Sequence, residues 1–506
     1  MKPLRSFLGI GFAAVAVLLA LGVRPAVAAD APDKPNIVLI LTDDLGYGDV
    51  SCLNPESKIQ TPAIDRLAAQ GMTFTDAHAP STVCTPTRYS VLTGRYAFRG
   101  RSRTGVLGGY SPRLIEPGRL TVGEMLRQSG YDTGAIGKWH LGMDWPTKEK
   151  AEFGDTIAPK AKPELIDFTK PIPGGPLAVG FDYFYGISAS LDMDPYVYIE
   201  NDRVVEAPAG KVEAGKDMGF FRAGPIAPGF KHVEVLPRCV SKAEEYIARH
   251  AGTGRPFFLY LALPSPHSPI LPSPEFAGKS KAGQYGDYVM ETDDSAARVV
   301  AALEKAGIDK NTLVIFTSDN GPEHYTYRLQ EQFGHYSAGK LRGIKRDLWD
   351  GGHRVPFFVR WPGKVKAGAI CGQTICLSDF MATAAAIVGY KLPNDAAEDS
   401  FNVLPLILSE KLDRPIRESV IHHSITGQLS IRRGDMKLIP LRGSGGNVYK
   451  TGPNAIKPDD PPGQLYDMSK DISERENLYT RYPELVKELG DLLEQQKTSG
   501  RSAPVR

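Results

Sequence analysis

Asp43 stands beside Asp44, and far along the chain Asp319 is followed by Asn320, so two short segments offer hard oxygen donors. All-oxygen ligation with several carboxylates suits Ca²⁺ first and Mg²⁺ second, and disfavours a dedicated zinc site. Lys138 and His140 share one segment, His267 and Lys345 stand in two others, and Arg88 follows Cys84 by about one helical turn. A divalent cation with lysines and a guanidinium would offset the charge of an anionic ester. An imidazole can move a proton near neutral pH, and a cysteine is a residue type able to act as a nucleophile. Each fragment alone has a duller explanation: an Asp-Asp pair is commonly a solvated turn, and an isolated loop histidine is commonly structural. The chemistry requires that all of them meet.

Four apolar runs can bring them together. Residues 36–42 empty into Asp43-Asp44, 133–136 into Gly137-Lys138-Trp139-His140, 257–263 into Pro264-Ser265-Pro266-His267, and 312–317 into Ser318-Asp319-Asn320. Alternating with helix-like segments, such runs predict an α/β fold with a helix-covered sheet, and ligands in such sheets bind beyond the carboxyl ends of the strands. Apolar spacing predicts helices over 61–71, 122–130, 288–306 and 377–390. Pro86 suits a first helical turn, with Thr85 as cap and Gly94 as stop. Residue 84 would then lie just outside the helix N-terminus, where free N–H groups favour oxyanions, with Arg88 pointing back towards it. Segments 144–180 and 205–232 are rich in Pro, Gly and Lys and read as long loops of the kind that line a substrate mouth.

Composition bounds the partners. A net charge of +2 from 60 basic and 58 acidic residues points to neither nucleic acid nor an anionic membrane. Lys2 and Arg5, the apolar stretch 7–23 and Ala26-Val27-Ala28 read as a cleaved secretory signal over residues 1–28, which implies a periplasmic or secreted protein. A membrane anchor is the competing reading of that stretch, but cleavage is favoured and no stable anchor is expected. The pairing of Cys52, Cys84, Cys239, Cys371 and Cys376 is open. A change of texture after about residue 410 divides the chain into a catalytic domain over 30–410 and a smaller α+β domain over 411–506. Short strands are expected near 419–423, 428–432 and 436–441, and a helix over 483–496.

Cys84-Thr85-Pro86-Thr87-Arg88, continued by Thr93-Gly94-Arg95, resembles the maturation signature of the type I (formylglycine-dependent) sulfatases, an arylsulfatase-A-like family of the alkaline phosphatase superfamily. Asp43-Asp44-Leu45-Gly46-Tyr47-Gly48-Asp49, Gly137-Lys138-Trp139-His140-Leu141-Gly142, Pro266-His267-Ser268-Pro269, Ser318-Asp319-Asn320-Gly321 and residues 342–356 resemble its other motifs, in family order. The resemblance covers about residues 34–480. It implies an alkaline-phosphatase-like mixed sheet flanked by helices, and oxidation of Cys84 to Cα-formylglycine by a maturating enzyme. It implies Ca²⁺ bound by Asp43, Asp44, Asp319, Asn320 and residue 84, with sulfate contacted by Lys138 and Lys345 and Arg88 adding to the positive charge that offsets it. His267 would protonate the leaving oxygen, and His140 would take the proton whose loss releases sulfate and restores the aldehyde.

Alignment makes Lys345, not Lys340, the sulfate-binding lysine, and places Asp350 where the family has glutamate. Lys340, Arg342 and Arg346 become surface charges or substrate contacts, while His324, His335 and His353 are open between loop residues and substrate contacts. The implied reaction takes R–O–SO₃⁻ and water to R–OH and sulfate, on a sulfated glycan or an aryl sulfate. Residues 283–287 and 291–294 look like the branch that includes N-acetylgalactosamine-6-sulfatases. Two other readings stand beside it: a phosphonate monoester or phosphodiester hydrolase of the same superfamily, and a catalytically silent glycan- or anion-binding protein in which Cys84 stays a thiol.

Overall fold

The computed structural model describes residues 34–148 and 163–506. The expected secretory segment lies outside these residues, as does part of the loop expected over 144–180. Asn36–Thr42 (β1) is buried at every position, and a strand covered on both faces needs a continuous apolar run rather than alternation. Its sequence supplies one, from Ile37 to Leu41. Asp132–Lys138 (β2), Tyr183–Ile187 (β3), Phe257–Ala262 (β4) and Thr312–Ser318 (β5) join it in parallel, in the order β5-β1-β4-β2-β3. Antiparallel Phe357–Arg360 extends the sheet beyond β5 and Ile199–Glu200 beyond β3, within a mixed sheet of ten strands.

Two packed groups of helices flank this sheet. Pro62–Gln70 and Val235–His250 both pack on Gly283–Lys305, while Cys84–Thr93 and Val122–Gln128 both pack on Phe380–Val388. The long helix begins at Gly283, earlier than its apolar periodicity suggests, because its first turns carry polar anchors. Tyr285 donates its hydroxyl to Asp49 at 2.6 Å, and Asp293 accepts from the backbone N–H of Ala63 and Ile64 at 3.1 and 2.8 Å. Asp293 thus satisfies the first turn of helix Pro62–Gln70 from across the fold.

The smaller C-terminal part is an antiparallel sheet of Ser419–His423 (β6), Leu429–Arg433 (β7), Met436–Ile439 (β8) and Gln464–Asp467 (β9). Helix Pro483–Thr498 buries Leu489 and Leu493 against Val420, Ile421 and Ile431 of this sheet. The described residues form one compact unit. All five cysteines are unpaired, and no helix among the described residues is long and apolar enough to cross a membrane.

A buried polar cluster ties β6, β7 and β8 to the segments 76–78 and 350–354. His78 Nδ1 lies 3.0 Å from His353 Nδ1, and the His353 ring stacks on His422 at 3.6 Å. Asp76 holds His78 Nε2 at 2.9 Å, and Lys437 donates to His353 Nε2 at 3.1 Å while pairing with Asp350 and Glu474 at 2.7 and 2.8 Å. Arg354 and Arg432 complete the cluster on Asp76. Asp350, held by Lys437 and Arg354, is therefore a structural anchor. Burial pushes the pKa of all three histidines down, so they stay neutral where an unfolded chain would bind protons. Unfolding takes up protons below about pH 6.5, so stability is expected to fall as pH drops through that value. The slope is at most about 1.4 kcal/mol per pH unit for each histidine. Tm followed by fluorimetry from neutral to mildly acidic pH should fall, and less steeply in His422→Asn; an identical slope in that variant would refute the assignment.

Candidate functional site

Strand register brings the polar termini to one level. Thr42 pairs with Ser318, Leu41 with Ala262, and Ala262 with Gly137, so Asp43-Asp44, Asp319-Asn320 and Lys138 emerge together at the carboxyl edge. The backbone there is turned sharply. Asp44 has φ +66° and His140 φ +55°, left-handed conformations that cost a side-chain-bearing residue roughly 1–2 kcal/mol. A Cβ on Gly137 would sit 2.0 Å from the Ala262 carbonyl oxygen, so only glycine lets β2 approach β4 and deliver Lys138.

Cys84 is the first residue of helix Cys84–Thr93, which starts two residues earlier than expected, and Val83 caps the helix without a side-chain bond. Thr85 is not the cap because its hydroxyl is committed elsewhere. It donates to the His140 carbonyl and accepts from the Leu107 N–H, both at 3.1 Å, fastening the helix start to the loop after β2. Gly94 ends the helix in the left-handed region, as expected.

The remaining side chains close into one buried network. Arg88 donates to Asp319 Oδ2 through Nε and Nη2 at 3.0 and 2.8 Å, and through Nη1 to the Lys138 carbonyl at 3.1 Å. Lys138 Nζ donates to Asp43 Oδ2 at 2.6 Å and Ser190 Oγ at 3.2 Å. Lys345 Nζ donates to Asp44 at 2.8 Å, and Asn320 Nδ2 reaches the other oxygen of Asp44 at 2.7 Å. His267 Nε2 stands 3.7 Å from Asp44, with Nδ1 donating to the Ser268 carbonyl at 2.7 Å. His140 Nε2 lies 2.7 Å from the Leu107 carbonyl. A carbonyl can only accept, so Nε2 carries the proton and Nδ1, buried without a partner, is the free base.

The donor set fits a divalent cation. Atoms of Asp43, Cys84 and Asp319 lie within 4.8 Å of one another, as do those of Asp43, Asp44 and His267. Asp43 Oδ1 and Asn320 Oδ1 are buried with no hydrogen-bond partner, an arrangement that costs energy unless a ligand satisfies them. Burial and the neighbouring Asp43 push Asp319 up to about 6, the behaviour of carboxylates gathered where a positive charge belongs. Burial works against the Lys345 ammonium, but Asp44 and Glu323 outweigh it and hold its pKa above the lysine value. Burial also raises the Cys84 thiol despite Lys138 and Lys345, so the side chain as encoded is a poor nucleophile.

Above the network opens a cavity of about 520 Å³ lined by Cys84, His140, His267 and Lys345. Segment 205–232 contributes Asp217, Met218, Phe220 and Arg222 to its mouth, although short strands Gly210–Val212 and Gly224–Ile226 interrupt the expected loop. Asp192, paired with Arg222, and Glu323, which binds Arg346 Nη2 at 2.7 Å, carried no sequence signal. Of the three open histidines, His324 stands exposed at this mouth. His335 is buried on Asp49 at 2.8 Å, and His353 belongs to the cluster under β6 and β8. Arg346 lines the same cavity, whereas Lys340 and Arg342 line another.

The profile of the family described as Sulfatase matches residues 35–390. The chain belongs to the sulfatase family. N-acetylgalactosamine-6-O-sulfatase of Bacteroides thetaiotaomicron is 35% identical over 506 residues, covering 92% of this sulfatase and 93% of that protein. Human arylsulfatase A is 34% identical, with 91% and 86% of the two chains covered. A solved structure from work on the metabolism of multiple glycosaminoglycans by Bacteroides thetaiotaomicron superposes with a TM-score of 0.79 at 33% identity, over 92% of this chain and 100% of that one. This sulfatase is a sulfuric ester hydrolase of the type I group in the alkaline phosphatase superfamily.

Proposed function

We propose that this sulfatase removes the 6-O-sulfate of N-acetylgalactosamine in a glycosaminoglycan, with residue 84 matured from cysteine to formylglycine by a separate enzyme. One observation carries the reaction: buried Asp43, Asp44 and Asp319 converge with buried Lys138, Lys345 and Arg88 on a cysteine whose thiol is unsuited to attack. The choice of sugar is supported by the likeness, over nearly the full length, to the N-acetylgalactosamine-6-O-sulfatase of Bacteroides thetaiotaomicron. Residues 30–410 carry the reaction and 411–506 form the auxiliary α+β domain. Lys2, Arg5 and the apolar stretch before Ala26-Val27-Ala28 support export by a signal cleaved after residue 28.

Lys138, Lys345 and Arg88 bind the sulfate oxygens and offset their charge as an oxygen nucleophile approaches. His267, oriented by its Nδ1–H on the Ser268 carbonyl, presents Nε2 to the leaving sugar oxygen as proton donor. His140 presents its unpartnered Nδ1 as the base that accepts a proton from the residue 84 side chain. An aldehyde hydrate at position 84 supplies two hydroxyls on one carbon, one to attack sulfur and one whose deprotonation releases sulfate. Asp43, Asp44, Asp319 and Asn320 would hold Ca²⁺, which when bound would supply Lewis-acid charge to the site.

Sulfate release from 6-O-sulfated N-acetylgalactosamine oligosaccharides, their 4-O-sulfated isomers and a phosphodiester tests the reading. The 6-O-sulfated glycan is expected to be hydrolysed fastest; preferential turnover of the phosphodiester would overturn it. Chelation by EGTA is expected to abolish turnover and lower Tm. Ca²⁺ at about 100 times its Kd should restore about 2.7 kcal/mol of stability. An unchanged Tm would place the cation elsewhere.

A further inference from the structure

A second cavity, of about 530 Å³, lies between the loop that follows Asn320 and the C-terminal sheet, and shares no lining residue with the catalytic one. Five cationic side chains line it against two acidic ones, Asp460 and Glu474. The acids are committed: Glu474 pairs with Lys437 at 2.8 Å, and Asp460 accepts the Lys457 backbone N–H at 2.7 Å. Of the cations, Arg342 is built into the floor. Its guanidinium lies 3.7 Å over the Trp349 ring, and its Nε donates to Asn454 at 2.9 Å. The other four, Lys340, Arg442, Lys457 and Arg475, are exposed and make no ion pair with any described residue. Unpaired cations gathered round a concavity create a local positive potential in a chain whose overall charge is close to zero.

The wall also suits a sugar. Tyr336, 48% exposed, offers a ring face at the edge, and the exposed amide of Gln330 offers a donor and an acceptor for hydroxyl groups. Segment 323–345 serves both cavities: Tyr325, Arg328 and Lys345 face the catalytic one, and Tyr327, Lys340 and Ile344 face this one. A chain-like anionic substrate held at one can therefore be followed to the other along a single loop.

We infer that this groove is a second binding site for an acidic oligosaccharide, taking carboxylate- or sulfate-bearing sugars that are not being hydrolysed. The inference rests on the reading of the substrate as a glycosaminoglycan, and the ligand is the polymer that carries the scissile ester. The groove raises affinity for the polymer without touching the reacting sulfate.

The test uses the triple variant Lys340→Ala/Lys457→Ala/Arg475→Ala, whose replaced side chains make no ion pair. Its Tm should match the parent. Its kcat/KM on a small aryl sulfate should stay within about twofold, since none of the three side chains lines the catalytic cavity. KM for a 6-O-sulfated galactosaminoglycan polymer is expected to rise on the order of tenfold, with a shallower dependence of binding on salt. Equal polymer KM in the parent and the triple variant, or an equal loss on polymer and aryl sulfate, would overturn the inference. A binding arm separates this from the reading of the catalytic site. In a Cys84→Ala background, calorimetry with a chemically desulfated, uronate-bearing hexasaccharide should show binding that the triple substitution weakens about tenfold, whether or not the parent enzyme releases 6-O-sulfate. Binding unaffected by the triple substitution would sink the groove and leave the catalytic reading standing.

Discussion

Cys84→Ala is expected to lower sulfate-ester turnover by on the order of 10⁵-fold or more, the scale on which loss of a covalent nucleophile acts. The fold should survive, because the side chain is small and the helix it begins is held by Thr85 on the His140 carbonyl and by the Gly94 stop. The informative companion is Cys84→Ser. A serine hydroxyl, set among the same cations and carboxylates, can displace the alcohol from sulfur but then carries a sulfate ester with no second hydroxyl to expel it. One equivalent of alcohol per enzyme should appear, followed by arrest, with sulfate covalently bound on the peptide that contains residue 84. Sustained turnover by the serine variant would mean that residue 84 does not form the bond to sulfur.

The second large effect separates two lysines that stand close in sequence. Lys345 is buried, 2.8 Å from Asp44 and 3.7 Å from Glu323, inside the cavity that holds Cys84. Lys345→Ala is expected to reduce kcat on the order of 10³-fold, as removal of one preorganised charge-stabilising group does. It should also lower Tm, since stripping one partner from a buried pair costs roughly 3–5 kcal/mol. The kinetic loss is therefore to be measured where the variant is still folded by circular dichroism. Lys340→Ala, at an exposed residue lining the other cavity, should leave aryl sulfate turnover within about twofold of the parent. The opposite ranking would refute the assignment of Lys345 to sulfate.

The reason the site could be read from the sequence lies in its strands. Residues 37–41 and 313–316 are apolar throughout and the two strands run out into acids, because a strand covered on both faces spends its polar residues near the ends where it leaves the sheet. Parallel pairing then guarantees that such ends share one edge. What stayed hidden depends on partners distant in the chain. Thr85 reads locally as a cap, yet its hydroxyl is claimed by the backbone of His140 and Leu107. Asp293 reads as one acid among several on a helix, yet it caps another helix. Residues 283–287 and 291–294 read as a likeness to one branch of the family, and the sequence does not show that Tyr285 and Asp293 within them also anchor the fold, on Asp49 and on the helix at Pro62. Glu323 belongs to no motif or period, and only the fold reveals that it balances Lys345 and Arg346.

Mass spectrometry of the peptide containing residue 84, from protein co-produced with a maturating enzyme, tests the central claim most directly. The peptide is expected to carry the mass of an aldehyde or its hydrate at that position, reactive towards a hydrazide probe, in a fraction that scales with specific activity across preparations. An intact thiol at residue 84 in a preparation that fully hydrolyses sulfate esters would contradict it.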